Sequence, residues 1–112
     1  MSLPQMSLAM TEDKRQHGRV SIVMEALWDG SSTRSQARTT DISEGGCFID
    51  SLGQVAVGEL LNIRLLSPGG EYISVEAEVV YQMPRFGFGV RFTRISDNDQ
   101  QRLKELIESR SY

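Results

Sequence analysis

From Ile73 to Gln82 the chain alternates with a period of two, and this is the feature that most limits what it can fold into. Ile73, Val75, Ala77, Val79 and Tyr81 fall on one side, and Ser74, Glu76, Glu78 and Gln82 on the other. A helix would repeat its apolar positions every three or four residues. Period two marks an extended strand with one face in a core and the other in water. The pattern recurs: Val20, Ile22, Met24, Ala26 and Trp28 form one apolar row, and Leu61, Ile63 and Leu65 form another. Phe86, Phe88, Val90 and Phe92 make a third row, interleaved with Gly87, Gly89, Arg91 and Thr93. Glycines inside that row predict a bend or a close approach by another backbone.

Turn chemistry separates the rows. Asp29-Gly30-Ser31-Ser32 and Ser67-Pro68-Gly69-Gly70 read as hairpin connections, and Met83-Pro84-Arg85 ends the long strand. Thr33 to Thr40 reads as a partly exposed return strand, and Cys47 to Asp50 as a short one. The expectation is a mainly β fold, a six-stranded antiparallel barrel whose closure removes exposed edges. Near the end the period changes. Ser96 followed by Asp99 has the form of a helix N-cap, and Leu103, Leu106 and Ile107 give an apolar stripe, so a helix is predicted to about Ser109 that docks on or plugs the barrel.

A chain of 112 residues holds one such domain. Residues 1–13 are read as a flexible arm and residues 14–110 as the domain. A hydrophobic fraction of 39% supports a packed core. The net charge of −3 argues against broad, sequence-independent binding of DNA or RNA, which needs a large basic face, so any anionic ligand is expected to be small and locally held. No apolar run is long enough to span a bilayer. A lone cysteine, Cys47, excludes an internal disulfide and a thiolate metal cluster, which fits a reducing cytoplasm.

Two short segments carry the chemistry. Arg15-Gln16-His17-Gly18-Arg19 is an RxxxR pattern before the first strand, and Asp41-Ile42-Ser43-Glu44-Gly45-Gly46 is a DxSxxG pattern between two strands. Each alone is common. Together, in this order, they arise by chance in a chain of this size on the order of once in a thousand. With the strand series, the terminal helix and the segment Gly87 to Phe92, they resemble the PilZ domain family, from about Lys14 to Ser109.

The resemblance implies a receptor for cyclic di-GMP that needs no cofactor or metal and is not an enzyme. It implies binding residues Arg15, Arg19, Asp41, Ser43 and Gly46, with Lys14 just before the motif bearing on whether one ligand or an intercalated pair is held. The chemistry fits. A guanidinium makes two-pronged bonds to a phosphate or to the O6 and N7 edge of guanine, while a carboxylate accepts from the opposite edge. Ser43 can donate to a phosphate or purine atom, and Gly46 lets backbone approach closely. The RxxxR arm is expected to close over the ligand, a change that a downstream protein partner could sense, with the domain itself a monomer or weak dimer.

Plainer readings stand beside these. Arg15 and Arg19 can be solvated charges, and Asp41 and Ser43 can be turn formers that bond their own backbone. His17 reads as an exposed spacer, with no second histidine to join it. Cys47 reads as a small buried hydrophobe, and Trp28 and the phenylalanines as core or barrel surface rather than a base-stacking platform. The competing functions are a PilZ-like protein-interaction module with weak or no nucleotide binding, and a small barrel for single-stranded nucleic acid, which the acidic balance disfavours.

Overall fold

The structure, a computed structural model, describes residues 19–30 and 34–110, the side chains of 34–36 aside. Six strands and one helix follow in order: β1 (Glu25–Asp29), β2 (Arg34–Ser43), β3 (Gly46–Asp50), β4 (Leu60–Leu66), β5 (Tyr72–Met83), β6 (Gly87–Ile95) and α1 (Asp97–Arg110). Every neighbouring pair is antiparallel, and the sheet closes in the order β1-β2-β3-β6-β5-β4. Closure joins β1 to β4, with Ala26 opposite Leu65 and Trp28 opposite Ile63. The expected barrel with its terminal helix is the observed architecture.

The apolar rows line the barrel as their period predicts. Ile22, Met24, Ala26 and Trp28 are buried from the first, Leu61, Ile63 and Leu65 from β4, and Ile73, Val75, Ala77 and Val79 from β5. Trp28 meets Phe88 edge-on across the interior at 5.5 Å between ring centroids. The helix begins as expected: Ser96 Oγ accepts from the Asp99 N–H at 3.1 Å and donates to the Asp99 carboxylate at 3.1 Å. Leu103 and Ile107 enter the core, Leu106 packs against it, and Arg102 reaches Glu71 at the start of β5.

Several expectations are corrected. The first strand is shorter than its pattern: only Glu25–Asp29 pairs as a strand, although the in-and-out alternation runs back to Ile22. The DxSxxG segment does not lie between strands. Asp41 and Ser43 are the closing residues of β2, because the ladder with β3 continues to the Ser43–Gly46 pair and only Glu44 and Gly45 turn. Phe86 lies in the β5–β6 turn and is exposed, so the phenylalanine row begins one pair later. Tyr81 faces outward instead of inward. The register slips between Val79 and Tyr81, so the extra residue at Val80 reverses the alternation and sends Tyr81 to the outer face.

Candidate functional site

A second bulge governs Asp41. Thr39 is opposite Ile49 and Asp41 is opposite Phe48, which leaves Thr40 as an extra residue in β2. Thr39 is fully buried and Ile42 is too, so strict alternation would have pointed Asp41 into the core. The bulge places the carboxylate on the outer face instead. There Arg19 meets it: Arg19 Nη1 donates to Asp41 Oδ1 at 2.9 Å, across 22 residues of sequence.

The segment after Arg19 is fastened so that this meeting is built in. Val20 and Ile42 exchange two backbone hydrogen bonds, each 2.9 Å. Deeper in, the buried Thr39 hydroxyl accepts from the Met24 N–H at 3.1 Å and donates to the Ile22 carbonyl at 2.7 Å, while the Thr39 N–H donates to the Met24 carbonyl at 2.9 Å. Arg19 is therefore held at the end of a stapled segment. Behind the ion pair lies Cys47, whose thiol burial pushes its pKa up to about 12, against the pull of Arg19 and with that of Asp41. It is a buried apolar side chain, as its sequence setting suggested.

Ser43 and Gly46 serve the hairpin. Ser43 Oγ accepts from the Gly45 N–H at 3.3 Å and donates to the Gly46 carbonyl at 3.4 Å. Gly46 is buried, and a β-carbon on it would run into the Val90 carbonyl oxygen, so the backbone of β6 accounts for the glycine. Of the residues singled out in the sequence, the structure thus brings Arg19, Asp41, Ser43 and Gly46 to one end of the β2–β3 hairpin. Lys14 and Arg15 lie outside the described residues.

These elements have a counterpart in sequence. Residues 13–109 match the model of the PilZ domain, nearly the whole chain. The chain belongs to the PilZ domain family. Among solved structures, this PilZ domain is similar to the Bacillus subtilis inhibitor of motility MotI/DgrA, at 21% identity and a TM-score of 0.71 over 88% of this chain and 51% of that one. The chain therefore spans about half the length of that protein. It is also similar to the PilZ domain of CeSA from a cellulose-synthesizing bacterium, at 14% identity and a TM-score of 0.67 over 85% of this chain and 99% of the other. At such identities the likeness is one of fold. No curated protein matches the sequence.

Sequence reasoning missed the rest of this PilZ face. Gly46 is opposite Arg91 in β6, and Arg91 is opposite Glu78 in β5, with Arg91 Nη2 donating to Glu78 Oε1 at 2.6 Å. A second arginine–carboxylate pair thus stands beside the motif hairpin. One row further along β6, Phe48, Gly89 and Tyr81 follow Asp41 across the strands. The glycines of β6 were the available signal: the close backbone approach they predicted is found at Gly87, against the Ile49 carbonyl, whereas at Gly89 it is the Tyr81 ring that comes close. A separate groove of about 680 Å³ lies on the outside of β1, β4 and β5 beside Asn62, Arg64, Glu76, Arg94 and Asp99. Among the described residues, Arg19, Asp41, Ser43 and Gly46 do not line it, and its charges are partly matched within it, Arg94 lying 3.8 Å from Glu76. Among the described residues no cluster of histidine, cysteine or carboxylate suits a metal ion, and no helix is long and apolar enough to cross a membrane.

Proposed function

We propose that this PilZ domain is a receptor for cyclic di-GMP, with Arg15 and Arg19 gripping phosphate or guanine and Asp41 taking the opposite guanine edge. The family is generally one of cyclic di-GMP receptors. The observation that carries the reading is the 2.9 Å contact between Arg19 and Asp41, which joins one member of each motif on the outer face of the barrel. Arg19 is 48% and Asp41 39% exposed at the side chain, so their pairing costs little to exchange for ligand contacts.

Ligand recognition by this route needs no catalytic group and no cofactor. Each charged hydrogen bond to the ligand contributes about 1.5–3 kcal/mol. Closure of the RxxxR segment, with Lys14 at its head, over bound nucleotide gives the signal, and a downstream protein reads the closed form. One structural neighbour is an inhibitor of motility, and control of motility is the kind of output this reading allows.

Calorimetry with cyclic di-GMP tests it. Binding by the wild type, weakened roughly tenfold or more in Arg15→Ala and Arg19→Ala, is the expected result. Absence of binding at high micromolar ligand would overturn the receptor reading and leave a protein-interaction module in its place. Protection of residues 10–19 from proteolysis by saturating ligand tests the closure step separately, and unchanged cleavage there would remove it.

A further inference from the structure

Four residues form one row across the outer face: Asp41 on β2, Phe48 on β3, Gly89 on β6 and Tyr81 on β5, each opposite the next. Bulges bound the row at both ends, at Thr40 and at Val80, and each turns its neighbour, Asp41 or Tyr81, out of the barrel. Between the two aromatic residues β6 offers only a glycine. A β-carbon on Gly89 would run into the hydroxyl-bearing end of the Tyr81 ring, so that ring lies over the strand where a side chain would stand. From there it reaches Phe48, with centroids 6.1 Å apart and planes inclined at 32°. Neither ring belongs to the buried core, and Tyr81 is 43% exposed.

We infer that Phe48 and Tyr81 form a shelf on which one guanine of the ligand stacks while Asp41 holds its edge; this rests on the receptor reading above. Neighbours in the row are one strand spacing apart, about 4.8 Å, so a base whose N–H edge reaches the Asp41 carboxylate extends over Phe48 toward the ring lying on Gly89. Aromatic rings accept any base by its π-face, and the carboxylate beside them selects guanine by its donors. The shelf continues directly from the motif face and shares Asp41 with it. A purely structural role for Tyr81, covering a glycine in a strand, is the competing account, and the two differ in what replaces the ring.

Tyr81→Phe keeps the π-face and Tyr81→Leu keeps the apolar cover without it. Calorimetry of cyclic di-GMP against the full chain is expected to give affinity within about twofold of wild type for Tyr81→Phe and a loss of roughly tenfold for Tyr81→Leu. In the wild-type complex the guanine H8 proton is expected to move upfield by ring current, and to lose that shift in Tyr81→Leu. Wild-type affinity in a folded Tyr81→Leu, or an unshifted H8 in the wild-type complex, would overturn the shelf. If Tyr81→Leu does not fold, the wild-type H8 shift and the Phe48→Leu affinity decide it alone. Failure of the two readings looks different: no wild-type binding removes the receptor and the shelf with it, whereas binding that depends on Arg19 and not on Tyr81 removes only the shelf.

Discussion

Gly46 and Val90 are packed backbone to backbone, with the carbonyl oxygen of Val90 filling the place of a side chain on Gly46. Gly46→Ala is therefore expected to lower stability by about 1–3 kcal/mol through displacement of β6. Gly45, next to it, has open space around it and no left-handed backbone, so Gly45→Ala is expected to stay within about 0.5 kcal/mol. Urea denaturation of both variants makes the comparison, and equal effects would assign the Gly46 requirement to something other than β6.

Asp41 separates stability from recognition. Its ion pair with Arg19 is half-exposed, and such pairs contribute about 0–1 kcal/mol. Asp41→Asn is expected to melt within a few degrees of wild type while losing cyclic di-GMP affinity roughly tenfold. Melting and calorimetry on one preparation check both halves.

Thr39 acts on the site without touching its outer face. Thr39→Val keeps the shape but orphans the Met24 N–H and one bond to the Ile22 carbonyl, both buried, at a cost of about 1–3 kcal/mol. Faster amide exchange at Met24 is the expected signature, together with weaker ligand binding through a loosened Arg19. Unchanged exchange there would show that the backbone bonds at Val20 and Thr39 hold the segment alone.

Cys47 sets an alkaline limit. Its thiol stays protonated in the folded state to about 12, whereas an unfolded thiol ionises near 9.0, so the unfolded chain sheds its proton first. The stability tied to this group is whole below pH 9.0 and is lost as the pH climbs toward 12; the slope is about 1.4 kcal/mol per pH unit. Cys47→Ala is expected to flatten that part of the pH–stability curve. Native protein at pH 8 is expected to resist alkylation until it unfolds, as mass spectrometry would show.

Most of the barrel was legible because burial leaves a period in the sequence. Leu61, Ile63 and Leu65, like Ile73 to Val79, need only alternate to be read correctly, and Ser96 and Asp99 announced the helix by their capping chemistry. What failed were the places where the period is broken by design. A bulge adds a residue without any mark in composition, so Tyr81 read as core. Asp41, Ser43 and Gly45 are turn formers, so the extension of β2 through Asp41 and Ser43 was hidden, although Ile42 lies fully buried between them. The motifs themselves were visible, but their neighbours Phe48, Arg91 and Tyr81 come from strands whose pairing no local pattern reports.

The order of the strands also bears on when the motif face can first be complete. Arg19, Asp41, Ser43 and Gly46 have all been made once the chain reaches β3, and β2 and β3 pair as a local hairpin. Yet Gly46 rests on β6, and the outer row is completed by Gly89 and Tyr81, which lie about forty residues further along. A nascent chain or a fragment ending before β5 would carry both signature motifs and still lack the surface beneath them. On the proposed receptor reading, competence for ligand is acquired late in folding, with the long-range docking of β3 on β6, so nucleotide binding would report a finished barrel and not merely a synthesised motif.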